Sequence, residues 1–342
     1  MKLKTSGPKF WIILVIGLLI VGLLYVMLFK SPCDLSKTTY LNIYPGDSQE
    51  KVLAELQKVG NIKNTKRLEF LMNLVGYKEH VNSGHYALKP GVSPFHIVRV
   101  LRSGLQTPVH LTFNNMRTVE DLAGRLSTQL MSDSLTLLTC FRETAWRDSL
   151  QLTENNYMSV FIPDTYEVWW NISPEKLRGR FVKAWKFFWD ETRLKEASKI
   201  GLTQAQVSTL ASIVEEETKQ SDEMPKVAEL YLNRMRIDMP LQADPTVKFA
   251  VGDFTIKRIL REHTLINSPY NTYKIIGLPP GPIRIPSIRA LDATLQPNRH
   301  SYIYMCAKED FSGYHAFATT YEQHEANAVK YRQALNKHGI MR

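Results

Sequence analysis

From Phe10 to Phe29 the chain carries no charged residue, and a run of roughly 20 apolar residues is what a helix needs to cross the hydrocarbon core of a bilayer. Such a segment constrains everything after it, because its bare apolar surface must lie in lipid or be covered by other protein. Lys2, Lys4 and Lys9 precede it, and positive charge on the N-terminal flank predicts that end in the cytoplasm. Lys30 and Lys37 weaken this asymmetry. A cleaved signal peptide is the rival reading, but the run exceeds a usual h-region and no small-x-small site comes after it. Residues 1–36 are therefore expected to be a cytoplasmic tip and a transmembrane anchor.

The composition is that of a folded protein. The 342 residues are 44% hydrophobic and 22% charged, enough for two domains without bulk disorder. The net charge of +10 suits an anionic lipid surface or wall polymer. Nucleic acid is not the expected partner, because no helix-turn-helix, zinc or RNA-recognition signature accompanies the charge. Cys33, Cys140 and Cys306 are an odd number at wide spacing and suggest unpaired thiols, not a zinc site or disulfide framework.

Two similar strand-to-helix units come first. Tyr40–Tyr44 reads as a strand, followed by Pro45-Gly46-Asp47-Ser48 and a helix carrying Val52, Leu53 and Leu56. Gly84–Leu88 repeats the pattern before Ser93 and a helix with Ile97, Val98 and Leu101, each serine being a natural N-cap. Between them Thr65 is expected to cap a helix containing Leu68 and Leu71. A third unit begins at Val109–Phe113, with Thr118 as the cap for Val119, Leu122 and Ala123. Farther on, Asp164, Tyr166, Trp169 and Trp170 offer rings for a sugar site or a core. Ser301–Met305 reads as a strand, and Tyr321–Lys337 as a closing amphipathic helix.

The chemistry concentrates between Leu210 and Pro245. Val207, Leu210, Ala211 and Val214 recur at helical spacing and run directly into Glu215, Glu216 and Glu217. At about 100° per residue Glu216 points away from the apolar stripe and is expected to face solvent, whereas Glu215 and Glu217 flank its edges. A carboxyl at an apolar edge has its charged form disfavoured and can hold a proton for delivery near neutral pH. Phase alone leaves open which of the two does so. Ala228, Tyr231 and Leu232 continue as a second helix ending at Asn233-Arg234, and Pro240–Pro245 reads as a loop. Ser268–Tyr273 and Gly277–Ile283, rich in Pro, Gly, Tyr and Asn, resemble the wall of a groove.

In order along the chain, Phe161–Tyr166, Ala211–Thr218, Asn233-Arg234, Leu241–Thr246, Tyr270–Tyr273 and Gly277–Ile283 resemble the endolytic murein transglycosylases of the MltG (YceG-like) family. The resemblance implies an α+β fold with a LysM-like module over 37–108 and a YceG-like catalytic domain over 109–342. It implies cleavage of MurNAc-β-1,4-GlcNAc bonds within peptidoglycan to leave 1,6-anhydro-MurNAc ends, terminating the growth of nascent strands. Glu217 falls on the family's catalytic acid. Glu215, Asn233, Arg234, Gln242, Asp244, Tyr270, Asn271, Tyr273 and His315 are expected to bind substrate or support the site, with no metal and no cofactor. His315 lies in Gly313–Phe317, which resembles a further family block. Relatives usually carry Glu-Gly after the third strand, but here Asn114-Asn115-Met116 stands there, so any role of that glutamate does not carry over.

The expected partners are glycan strands and the membrane, with peptidoglycan synthases admitted and nucleic acid not. The expected location is the cell inner membrane, with the N-terminus cytoplasmic and the catalytic domain periplasmic or extracellular. A LysM-like module would either bind amino sugars or serve as a spacer. A hydrolytic glycosidase using Glu215 or Asp244 as a second carboxylate, and a non-catalytic wall-binding scaffold, are the alternatives. Protease added to spheroplasts is expected to degrade the chain beyond Lys37, which intact cells protect; survival of the full chain in spheroplasts would contradict the orientation.

Overall fold

The structure, a computed structural model, describes residues 8–256 and 258–339; Lys2 and Lys4 lie outside them. It is a mixed helix and strand protein of two compact units, the first comprising residues up to 111 with 129–131 and 166–172, the second the remainder.

The first unit opens with α1 (Pro8–Phe29), whose large apolar side chains from Phe10 to Val26 are 41–70% exposed. Over that stretch the other described residues leave the helix bare, so by length and composition it is compatible with a membrane anchor. Next come β1 (Thr39–Ile43), α2 (Gln49–Val59), α3 (Lys66–Leu74), β2 (Gly84–Leu88), α4 (Pro94–Arg102) and β3 (Val109–Thr112). β1 and β2 pair antiparallel, from Thr39 opposite Leu88 to Ile43 opposite Gly84. Their inward residues Leu41, Ile43, Tyr86 and Leu88 share one core with Leu56, Leu68, Met72 and Leu101. Ser48 and Ser93 cap α2 and α4 by accepting the N–H of Lys51 and His96. Thr65 does not cap α3; the Asn64 side chain takes the Lys66 N–H instead. At the end of α1, Arg67 Nη1 donates to the carbonyls of Val26 and Lys30, at 2.8 and 3.2 Å. These are carbonyls that a helix terminus leaves without intrahelical partners.

The second unit contains α5 (Val119–Ser127), α6 (Ser134–Arg142) and α7 (Thr144–Asp148). The chain then returns to the first unit in β4 (Thr165–Val168), which pairs with β3. Tyr166 and Trp170 are buried, which assigns them to packing, while Trp169 is exposed. The second unit resumes with α8 (Pro174–Phe188), α9 (Glu191–Lys199), α10 (Gln204–Glu217), α11 (Met224–Arg236), α12 (Asp244–Val251) and α13 (Ile288–Leu295). It closes with β5 (Tyr304–Ala307), β6 (His315–Ala318) and α14 (Tyr321–Lys337). Phe113, Phe141, Phe161 and Phe181 form an edge-on aromatic cluster with centroids 5.4–6.2 Å apart, a geometry the ring quadrupoles favour.

α10 occupies the centre of this unit. Thr203 and Gln206 close its N-terminus with a capping box, and every residue from Val207 to Val214 is buried. The amphipathic helix expected from spacing is thus enclosed on all sides, by α9, α11, α12, α13 and the turn Tyr157–Val160. Ser208, Ala211 and Ser212 are small enough to fill the faces left between the large apolar residues. The Pro240–Pro245 loop also ends earlier than expected, because Pro245 stands in the first turn of α12, where a missing N–H costs nothing. β5 starts later than expected; the carbonyls of Tyr302 and Ile303 are taken by side chains from α11.

Gly281 is where the Pro-rich segment meets the rest of the unit. A Cβ there would lie 1.8 Å from the carbonyl oxygen of Asn155, whereas one at Gly179 in α8 would meet nothing within 4 Å. Gly281→Ala is therefore expected to destabilise the unit by about 1–3 kcal/mol or more, and Gly179→Ala to be neutral or slightly stabilising. Thermal denaturation of the two variants side by side checks this; equal melting temperatures would contradict the close approach.

Candidate active site

The three glutamates that end α10 divide their work. Glu215 accepts the Ser287 N–H at 2.9 Å, at the N-terminus of α13, with Arg284 Nε 3.8 Å away. Glu216, expected to face solvent, receives two bonds from Arg117, at 2.9 and 3.1 Å, and another from Arg284. Its side chain is only 16% exposed. Helical phase gave its direction, but not the two guanidinium groups that distant parts of the chain bring there. One turn earlier, the buried Ser212 hydroxyl accepts the Ile283 N–H at 3.0 Å. Ser212, Glu215 and Glu216 together hold residues 283–287 along one side of α10.

Among the described residues Glu217 has no basic partner of this kind. Its Oε1 accepts a 2.7 Å hydrogen bond from the hydroxyl of Tyr231, on α11. Desolvation pushes its pKa up to about 7; the Tyr231 bond opposes this, nearby Asp244 adds to it, and His315 and Arg234 pull it back. Burial and the adjacent Glu217 push Tyr231 well above the usual phenol range, so the hydroxyl remains a donor. A carboxyl poised near neutral pH can both give and take a proton at working pH.

The loop after α11 is tied down from beneath. Arg234 is buried and donates to the carbonyls of Leu241 and Ile303, at 2.6 and 2.7 Å. Thr272, fully buried, accepts the Ala243 N–H and bonds Thr246, while its carbonyl takes the Gln242 N–H. Gln242 is thereby held exposed at a φ of +50°, a left-handed conformation uncommon for a residue with a Cβ and concentrated at functional sites. Asp244 is exposed and accepts a 2.6 Å bond from the Tyr273 hydroxyl. Tyr270 is half-buried against the ring of Phe249, centroids 4.7 Å apart.

Two residues expected to hold sugar are occupied otherwise. Asn271 is fully buried, and its amide donates to the carbonyls of Thr264 and Ile266 while accepting the Tyr273 N–H. It shapes the turn that carries Tyr273. Asn233 donates to the carbonyls of His300 and Tyr302 and accepts from Arg236, which fixes the segment leading into β5. His315 pairs through Nδ1 with Glu223 at 2.9 Å, and its N–H meets the other carboxylate oxygen at 2.7 Å. Burial opposes ionisation of Glu223, but these bonds hold its pKa below the usual range. Beside them a polar hollow of about 340 Å³ is lined by Lys226, Tyr302, Tyr314 and Phe317.

The second unit thus sets the half-buried Glu217 carboxyl under one donating phenol and among tied-down loops, within a mixed helix and strand protein. The YceG-like family model matches residues 41–330, and the chain belongs to that family. It is 28% identical over 321 residues to an endolytic murein transglycosylase of Bacillus subtilis, covering 88% of this chain and 87% of the relative. A protein of the same name from Streptococcus pneumoniae is 25% identical over 91% of this chain, which spans 62% of that longer relative. The crystal structure of a YceG-like protein from Listeria monocytogenes superposes with a TM-score of 0.55 at 25% identity, over 85% of this chain and 99% of that one.

Because Glu217 ionises near 7 and not near 4.5, the folded state keeps a proton that the unfolded chain has released between those values. Stability contributed by this group therefore falls as pH rises across that window. Glu217→Gln removes the penalty, so its melting temperature is expected to exceed the parent's at about pH 8 and the gap to narrow at about pH 4.5. Glu216→Gln, which leaves Arg117 and Arg284 underpaired, is expected to lose about 1–3 kcal/mol. Paired melts across pH separate the two; a Glu217→Gln variant less stable than the parent at high pH would contradict the raised pKa.

Proposed function

We propose that this chain is a lytic transglycosylase that cuts peptidoglycan glycan strands internally while anchored in the membrane by α1. Family membership supports the substrate class. The observation that carries the chemistry is the Glu217 carboxyl, desolvated to a pKa of about 7 and bonded to a single phenol.

In this reading protonated Glu217 delivers its proton to the oxygen of the MurNAc-β-1,4-GlcNAc bond as that bond breaks and an oxocarbenium-like state develops. The carboxylate so formed takes the proton of the MurNAc C6 hydroxyl, whose oxygen closes on the anomeric carbon. A 1,6-anhydro end results, the proton returns to Glu217, and no water is consumed. Gln242, Tyr270 and Tyr273 are assigned to the sugar side of the groove, Arg234, Asn233 and Asn271 to bracing it. Termination of nascent strands by such cuts, engagement of synthases, and a LysM-like role for the first unit as sugar binder or spacer belong to the same proposal. The N-terminus is placed in the cytoplasm and the site on the outer side of the inner membrane.

Hydrolysis is the second reading. Asp244 favours it, being exposed and close enough to raise the pKa of Glu217, although its Oδ1 is engaged by Tyr273. Glu215 is less suited, being engaged by Ser287. Product mass decides, since an anhydro end is one water lighter than a reducing end.

Digestion of purified sacculi followed by mass analysis is expected to give anhydro products with the parent and none with Glu217→Gln. Loss of a sole acid–base group is expected to lower the rate by about ten-thousand-fold or more, the upper end for this kind of assistance. Near-normal activity in a folded Glu217→Gln variant would remove the assignment.

Tyr231→Phe deletes the donor that favours the ionised carboxyl, so Glu217 is expected to hold its proton to higher pH. The alkaline limb of the rate profile then moves upward by on the order of one pH unit. An unmoved or downward-shifted limb would show that the phenol does not act on the carboxyl.

A further inference from the structure

The first unit carries an apolar hollow of about 230 Å³ formed by Leu28 of α1, Leu71 and Leu74 of α3, Val75, and Phe95 and Val98 of α4, with Arg99 and Arg102 at its margin. The surface around it leaves large apolar side chains uncovered by the other described residues: Phe70 is 53% exposed, Leu74 71%, Val75 43% and Phe95 47%. Contiguous exposed apolar patches of this kind mark sites of contact with a partner or a membrane.

Three observations identify the occupant. Leu28 belongs to the last turn of α1, so the hollow is continuous with the helix read as the anchor. Its 22 residues rise about 33 Å, which puts that turn where hydrocarbon gives way to headgroups. The charge around the hollow is positive: α4 contributes Arg99 and Arg102 and no acid, and Arg67 lies at the end of α1. We propose that this face rests on the outer leaflet and takes the acyl chain of an anionic phospholipid, with its phosphate against the arginines. The proposal rests on the anchor reading given above.

Apolar side chains at the interface and basic groups above them are the usual chemistry of anionic membrane surfaces. Such docking would restrict how the first unit swings on its anchor.

The test uses the full chain in nanodiscs of equimolar phosphatidylglycerol and phosphatidylcholine, with the photocrosslinker p-benzoylphenylalanine in place of Phe95 or, as a control inside the anchor, of Leu19. Intact mass after irradiation is expected to show a lipid adduct at both positions. At position 95, but not at 19, phosphatidylglycerol is expected to be enriched. Arg99→Gln is expected to cut that enrichment by about fivefold, the worth of one basic residue at an anionic surface; an unchanged ratio would remove the arginine from the proposal. Lipid adducts at 19 with none at 95 overturn the docking and leave the anchor standing. No adduct at either position sinks both. In cells, an adduct at 95 to protein and not to lipid overturns the proposal by giving the face to another chain.

Discussion

Desolvation lifts the pKa of a carboxyl as long as no hydrogen-bonded cation offsets it, and the end of α10 shows how the second unit meets that condition. α10 is enclosed from Val207 to Val214 and can present charge only at its end. There, two of three adjacent glutamates are given counter-charges or amide donors, and the third is given a phenol. Glu216 has Arg117 and Arg284, Glu215 has the Ser287 N–H, and Glu217 has Tyr231. Neutralising the first two matters for the third, because unpaired neighbouring carboxylates would raise its pKa further by repulsion.

The same contacts also build the walls. Residues 283–287, hung on Ser212, Glu215 and Glu216, cannot adopt a helix of their own in so proline-rich a stretch. Their position is therefore set by side-chain bonds from α10 and by the Ile285 N–H donating to the Met116 carbonyl. On the other side, Arg234 and Thr272 perform the equivalent task for the Gln242–Asp244 turn. A rigid site is thus obtained from irregular loops, since the groups that fix them are buried and hydrogen-bonded on both sides.

Much of the fold was legible because period and capping are local signals. The β1 and β2 strands, the serine caps of α2 and α4, the Thr118 cap and the limits of α14 come from spacing and from residue types at the ends of elements. The features that could not be read are set by contacts over long stretches of chain. Glu216 lies 99 residues from Arg117 and 68 from Arg284, so its phase implied solvent while the fold supplied cations. Asn271 sits among residues with groove chemistry, yet its amide is consumed by local carbonyls. Tyr231 read as one more member of an apolar stripe; its buried hydroxyl had to find an acceptor, which was the available clue to its bond with Glu217.

The enclosure of α10 from Val207 to Val214 has an evolutionary consequence. A helix with a solvent face can drift along that face while its buried side is held constant by packing. From Val207 to Val214 α10 has no such face, and the three glutamates that follow are committed to Ser287, to Arg117 and Arg284, and to Tyr231. Substitutions are then tolerated on the first unit and on loops not bonded to α10, where they leave Glu217 undisturbed. Divergence in this chain is therefore expected to be modular, with a central helix that changes little while its surroundings explore.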